Sequence, residues 1–479
     1  MTRRSCDFCN RSCKSHGTFV EYEDMKTDKR QSVAIDENTP LLILAGPMFL
    51  ELFLNTMLNN IDTLMLSHYD EYAVGAVGNA NIILFMMNIF FNVIATATSV
   101  VVAQYLGAKQ YESMNMIYTL AVTVNLVFGI ILSGVFCLAN PLIMNFLHVS
   151  EEMRPYSMIY IYIVGGGGFI TAVFNVMLQI LRCNGHTRIG MWVTFAINII
   201  NIGGNYLFLY GPWKSLGMGV AGVAISTVFA RLFAVGVLLL FFYVTKTGRL
   251  SLRYLVPFPG RLLGKMIRIG LPSAGENLTY NLCQTTLLSF VNSMGNDSVN
   301  ARAYCNSLIA FAMLFSSAAA MSAQIITGHL VGAGKSEEAY KRVFRTLRTS
   351  MPITIALAAI NAVLCPYTLR LFTSNENVIA LGQAIMIVDI FLEAGRCLNM
   401  IFISSLKAAG ATIFPLIAGI LCNWGLGLTT GYVAGVVLGL GVAGIFLGTA
   451  TDECIRGLIV MYYWYRRKWM GKAVVEQRH

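Results

Sequence analysis

The chain has 479 residues, of which 56% are hydrophobic and only 12% charged, about half the charged fraction of a soluble protein, and its mean hydropathy is +0.63. That composition excludes an ordinary soluble enzyme and, at about 20 residues per bilayer crossing, leaves room for some ten to thirteen spans. The net charge of +10 does not point to a nucleic-acid partner, because Lys and Arg lie between apolar blocks rather than in a patch beside aromatics.

The first 39 residues are mostly polar, with no apolar stretch leading to a small-residue cleavage site, so no secretory signal is expected and the first span directs insertion itself. Within this N-tail, Cys6, Cys9, Cys13 and His16 have a spacing compatible with a Cys3His zinc site. With no ordered domain around them to fix tetrahedral geometry, a disordered tail is the expectation, and no metal or other cofactor is assigned. The remaining cysteines are scattered through or beside apolar blocks, which is not a disulfide framework.

Twelve apolar blocks follow, separated by charged or turn-forming residues. An N-terminal lobe, 40–245, is predicted to hold six of them, at 40–67, 74–103, 117–139, 155–181, 189–210 and 219–244. A basic connector, 246–268, leads to a C-terminal lobe, 269–465, with blocks at 269–293, 301–330, 347–365, 378–406, 413–437 and 440–464. A basic C-tail, 466–479, completes an all-α integral membrane protein. Of the 34 Lys and Arg, 27 fall in the two tails and alternate connectors and four in the opposite connectors, so the positive-inside rule predicts that both termini are cytoplasmic.

The chain also repeats itself. A shift of 225 residues places Pro47 on Pro272, Glu51 on Glu276, Gly107 on Gly332, Pro141 on Pro366, Glu151 on Glu376, Gly185 on Gly410 and Asn198 on Asn423. Six spans per repeat is an even number, so the halves are parallel repeats about an axis along the membrane normal, the plan of a rocking transporter.

An ionisable group in hydrocarbon costs about 3 kcal/mol on insertion scales and normally faces a partner or a water-filled cavity. The candidates are Glu51 and Asp62 in the first span, Arg231 in the sixth, and Glu276, Asp389, Glu393, Arg396, Asp452, Glu453 and Arg456 in the second half. Asp452, Glu453 and Arg456 lie near a span end, where snorkelling is an equal reading. In the fifth span Asn198, Asn201 and Asn205 share one helix face. Such a stripe beside a carboxylate can coordinate a small hard cation or hold a proton-bearing acid, and it can equally be helix-to-helix glue. Glu393, Arg396 and Asn399 share a face of span ten, as a structural ion pair or a substrate contact. Glu276 and Arg396 are expected to pair, as the best-centred opposite charges of the second half.

These residues resemble the multidrug and toxic compound extrusion (MATE) family of secondary transporters over nearly the whole chain, 40–464. The resemblance rests on Pro47 with Asp62 in "NIDTLM", on "AQYLGAK", on "NIGGNYLFLYG" followed by "LGMGVAGVAIST", and on "EAGRCLN" followed by "SLKAAGATIFP". It implies two six-helix lobes that open alternately and export amphipathic, cationic organic compounds against an inward flow of sodium ions or protons. It also implies that Asp62 is a cation or proton site with Asn201 and Asn205 as partners. Two positions depart from the family pattern: many members have Asp where this chain has Asn205, and an acid where it has Tyr280.

Two other features carry less. "GAGKS" at 332–336 has its leading glycine, Gly328, one residue too far back for a phosphate-binding loop and follows a span rather than a strand. The run Gly165 to Gly168 is expected to permit close helix packing or a hinge. A membrane-embedded enzyme is disfavoured, because the six histidines do not cluster in sequence. The reading is a monomeric, multi-pass plasma-membrane antiporter whose partners are the bilayer and a small amphipathic substrate, with a lipid or glycolipid flippase of related architecture as the alternative.

Overall fold

The computed structural model describes residues 35–475 apart from positions 37, 147, 148 and 246; the Cys6, Cys9, Cys13 and His16 group lies outside them. Among the described residues every regular element is helical, as hydrocarbon demands of a backbone with no water to bond to. The N-terminal lobe is built from α1 (Leu41–Ser67), α2 (Glu71–Gly107), α3 (Met114–Phe146), α4 (Arg154–Gly165 with Gly168–Cys183), α5 (Thr187–Leu209) and α6 (Gly219–Val244). The C-terminal lobe holds α7 (Gly260–Asn292), α8 (Asn296–Gly332), α9 (Ser336–Leu369), α10 (Glu376–Ala408), α11 (Ile413–Val437) and α12 (Gly441–Tyr465).

Nine of these are long and apolar enough to cross a membrane by length and composition, and the bent pair α4 makes ten. The other two, α7 and α12, fall short for a chemical reason. Every membrane-length stretch of α12 contains Asp452, Glu453 and Arg456, and the middle of α7 carries Glu276, Asn277, Thr279, Asn281 and Gln284. The three charged residues of α12 are buried, whereas of the α7 set Glu276 is buried and Asn277 is exposed. Several helices outrun their apolar blocks: α7 begins at Gly260 and α9 at Ser336, because basic residues such as Arg261, Lys265, Lys341 and Arg345 continue the helix into water without penalty. Side chains cap the short turns, Asp70 accepting from the Tyr72 amide at 2.9 Å and Asn375 from the Asn377 amide at 3.0 Å. The run Gly165 to Gly168 is a bend, where a π-turn at Ile161–Gly165 precedes a 45° change of direction in α4.

One apolar core joins both lobes at the face where the described chain begins and ends, hereafter the terminal face. It packs Leu44, Met48 and Val101 with Met266, Ile326 and Leu406. Cross-lobe ring contacts climb to Phe49–Phe315 and Phe53–Phe311, with centroids 6.3 and 6.0 Å apart. Toward the opposite face the buried apolar residues separate by lobe, with Leu66, Val77 and Leu209 in one cluster and Leu287, Ile309 and Leu369 in another. A cleft between the lobes therefore opens away from the terminal face.

The closed end rests on a crossing of α2 and α8 about the repeat axis. A Cβ added to Gly107 would lie 2.0 Å from the His329 carbonyl oxygen, and one added to Gly332 would lie 2.0 Å from that of Gln104. The two backbones touch because neither glycine has a side chain. Repeat-related hydrogen bonds then cross between lobes: Gln104 Nε2 donates to the Ala408 carbonyl at 2.6 Å, and His329 Nε2 donates to the Cys183 carbonyl at 2.8 Å. Gln324 Nε2 donates to Ser99 Oγ at 3.0 Å, and these two residues are themselves 225 apart.

Gly107→Ala should force this crossing apart. In a variant whose only cysteine is the buried Cys183, a thiol reagent is expected to label the alanine protein at least several-fold faster than its glycine parent. Equal labelling would show that the crossing tolerates a methyl group.

Candidate functional site

In the N-terminal lobe, α1, α5 and α6 bring together a chain of polar side chains. Asn205 Nδ2 donates to Asp62 Oδ1 at 2.7 Å and shares its donors with Asn201 Oδ1 at 3.0 Å. Asn201 Nδ2 in turn donates to Thr227 Oγ1 at 3.0 Å, and the Thr227 hydroxyl donates to the Val223 carbonyl at 3.0 Å. Helical geometry makes this possible: Asn201 and Asn205 are one turn apart on α5, and Ser226 Oγ ties α6 to the Asn201 carbonyl at 2.9 Å. The array sits about 32 Å up α1 from Leu41, on the open side of the lobe.

Its acceptors are not all filled. The Asn205 Oδ1 atom is buried without a hydrogen-bond partner, and Asp62 uses one carboxylate oxygen and leaves Oδ2 open. Arg231 on α6 and Tyr160 on α4 lie within electrostatic reach of the carboxylate; the guanidinium is itself fixed by a 2.7 Å bond to Thr171 Oγ1. A half-buried carboxylate beside an unfilled amide oxygen, with one cation held back from direct contact, can take up a small cation or a proton.

Two residues expected in this group lie elsewhere. Asn198 donates to the Leu54 carbonyl at 2.8 Å and fastens α5 to α1, since on the same face it lies about 10 Å along α5 from Asn205 and so meets α1 two turns before Asp62. Glu51 is buried in an ion pair with Arg182 of α4, three turns below Asp62.

The C-terminal lobe carries the repeat-related version of that pair. Lys407 Nζ lies 2.9 Å from Glu276 Oε2, and both residues are exactly one repeat on from Arg182 and Glu51. The expected Glu276–Arg396 pair is therefore not made: Arg396 bonds to Glu393 one turn away, where a shorter reach and a shared helix face favour it. Arg456 bridges Asp452 at 3.1 Å and Glu453 at 2.9 Å, its guanidinium 5.7 Å from the Tyr280 ring centre, and Asn399 donates to Glu453 Oε2 at 2.7 Å. Asp452, Glu453 and Arg456 are buried, so none of them snorkels. Asp389 is fully buried with neither carboxyl oxygen hydrogen-bonded among the described residues.

Sequence reasoning did not single out Arg182, Lys407, Gln104 or His329. Arg182 and Lys407 sit in the last turns of α4 and α10 beside turn-forming glycines, where they read as connector charges. The 225-residue register was the signal available for them, because Arg182 falls on Lys407 as Glu51 falls on Glu276. Among the described residues no group of three or more His, Cys, Asp or Glu could hold a metal ion.

Comparison with known proteins agrees with this architecture. The MatE family profile matches residues 47–207 and again 272–433, two segments whose starts are one repeat apart. The uncharacterized transporter YisQ of Bacillus subtilis (strain 168) is 33% identical over 92% of this chain and 96% of its own length. A probable multidrug resistance protein NorM of Thermotoga maritima is 25% identical over 91% of this chain and 94% of its own. A solved outward-facing conformation of a multidrug resistance MATE family transporter superposes with a TM-score of 0.84 at 18% identity, covering 92% of this chain and 98% of that one.

The Glu51–Arg182 pair yields a stability prediction. Arg182→Ala strands a buried carboxylate and should destabilise the detergent-purified protein by about 3–5 kcal/mol, whereas Glu51→Gln with Arg182→Met should lose much less. Denaturant unfolding of the single and double variants checks this, and simple additivity would remove the pairing from the account.

Proposed function

The chain belongs to the MATE transporter family, and from that premise we propose that it is a secondary antiporter exporting amphipathic, cationic organic compounds in exchange for sodium ions or protons. The observation that carries the coupling part is the Asp62–Asn205–Asn201–Thr227 array with its unfilled oxygens. The relatives named as multidrug resistance proteins support the substrate class. So does the floor of the cleft, where the half-buried rings of Phe53 and Phe311 meet, since aromatic faces attract organic cations.

In this reading the terminal face is cytoplasmic and the cleft opens to the outside of the plasma membrane. The exposed Lys109, Arg188, Lys335 and Lys341 all lie toward the terminal face, in keeping with the positive-inside rule. The ion enters from the open side and binds at Asp62. For exchange, the ion and the drug must favour different lobe arrangements, because a ligand with equal affinity for both shifts nothing. Asp62 lies on α1, whose lower half also packs against α8 through Phe49 and Phe53, so charge compensation at Asp62 and the packing of the lobes share one helix.

Asp62→Asn preserves shape and removes the charge. Purified and reconstituted, it should insert normally but export a cationic dye at background rate under either an imposed sodium gradient or an imposed proton gradient, while the parent responds to one of them. Dye export by the variant at the parental rate would make Asp62 structural and move the coupling site to another buried acid.

A further inference from the structure

After α12 the chain does not trail away. It turns at Arg467, whose φ is +58°, and again at Gly471, and the segment 466–475 folds back beneath the lobe interface. Trp469 is buried, stacks on Trp464 with ring centres 4.0 Å apart, and donates its indole N–H to the Trp464 carbonyl at 3.1 Å. Arg467 bonds to Glu337 at 2.9 Å and Lys472 to Tyr463 Oη at 2.8 Å. The Lys472 carbonyl passes so near α10 that a Cβ on Gly410 would lie 2.2 Å from it. All of these anchors belong to the C-terminal lobe, so the segment is held rigidly to that lobe.

Its tip reaches the other lobe. The amides of Val474 and Val475 donate to Gln104 Oε1 at 2.7 and 3.3 Å, and the Val475 side chain is buried. Gln104 is thus used at both ends of its amide, donating to Ala408 and accepting from the tail. His329, its repeat mate, makes the equivalent bond to Cys183 with a ring nitrogen and has no carbonyl oxygen with which to receive a strap. The gate is symmetric in its carbonyl bonds and asymmetric in this one addition.

We propose that the C-terminal segment 466–475 is a strap that docks on Gln104 and biases the transporter toward the state closed at the terminal face. Opening that face carries Gln104 away from Ala408 and from the strap together, so the strap's two amides raise the free energy of opening. Arg466, Arg467, Lys468 and Lys472 are exposed along the strap, so a ligand that pulls on them acts on the lobe equilibrium.

The inference rests on the alternating-access reading, and its test measures lobe separation in the absence of drug or ion gradient, so it can fail while that reading stands. Spin labels at Arg188→Cys and Lys341→Cys, exposed on opposite lobes of the terminal face in an otherwise cysteine-free chain, report the gate by their distance distribution. A chain ending at Lys472 should raise the ratio of open to closed populations about tenfold, the scale of losing one or two net hydrogen bonds. Val474→Pro removes one amide donor and should move the ratio in the same direction by less. Gln104→His keeps a donor for Ala408 but offers the strap no carbonyl oxygen, and should match the truncation. Unchanged distance distributions in the truncated and proline variants, with native helicity retained, would overturn the proposal. Loss of folding in the truncation leaves the two point variants to decide it.

Discussion

Backbone contact between α2 and α8 at Gly107 and Gly332 is the constraint from which the arrangement of the two lobes follows. Two helices that touch without side chains between them bring Gln104 and His329, each one turn back from a glycine, within reach of the end of a helix in the opposite lobe. Any side chain larger than hydrogen at either glycine would hold the axes apart and break both bonds. Clamped at one face, six-helix lobes with separate cores on the other side have a cleft between them as a matter of geometry.

The repeat shows what is scaffold and what is not. Features needed by any six-helix lobe in a membrane occur twice at the same offset: the Glu51–Arg182 and Glu276–Lys407 pairs, the gate bonds, and the prolines inside α1 and α7. The candidate site occurs once. The mates of Asp62, Asn201 and Asn205 are Leu287, Leu426 and Thr430, and Leu287 is buried in an apolar cluster. Arg231 and Arg456 do correspond, but their acids come from different helices. In the N-terminal lobe the carboxylate near the arginine is Asp62 on the first helix, and the sixth carries Thr227. In the C-terminal lobe the first helix carries Leu287, and the twelfth carries Asp452 at the mate of Thr227. A direct ion pair of Arg456 with two acids is closed to a small cation in a way that the Asp62 array, one carboxylate oxygen unused, is not.

Much of the fold was legible because a bilayer forces apolar length, charge sidedness and duplicated punctuation into the primary sequence. The polar stripe on α5 was legible too: Asn205 bonds to Asp62, and Asn201 joins the array through Asn205. What was not legible depends on which helices are neighbours. Arg182 and Lys407 look like connector charges until the fold brings the ends of α4 and α10 within side-chain reach of α1 and α7, where each meets a buried carboxylate. Glu276 was assigned a partner by depth alone, and depth does not say which face of α10 or which turn is adjacent. Asn198 fails to join the site for a related reason: the backbone of α1, at Leu54, comes closer to it than the Asp62 side chain does.

A transporter that rocks must keep its two states close in free energy, which limits how strong a gate can be. Each net hydrogen bond contributes about 0.5–1.5 kcal/mol, so the bonds on Gln104, His329 and Gln324 together amount to a few kcal/mol. Driving a two-state equilibrium from one extreme to the other takes about 5.5 kcal/mol of differential binding. The polar bonds of the gate are therefore of a size that differential ligand binding can oppose, and the apolar core that joins the lobes at the same face adds its own cost to opening. A gate of buried salt bridges would be harder to open, because separating the partners strands charges in a low-dielectric interior at several kcal/mol each. The buried Glu51–Arg182, Glu276–Lys407, Glu393–Arg396 and Asp452–Arg456 pairs each lie inside one lobe, where they hold shape, whereas the bonds of the α2–α8 crossing are made by amides, a hydroxyl and an imidazole, with Arg342 adding a bond to the Thr39 carbonyl at 2.6 Å.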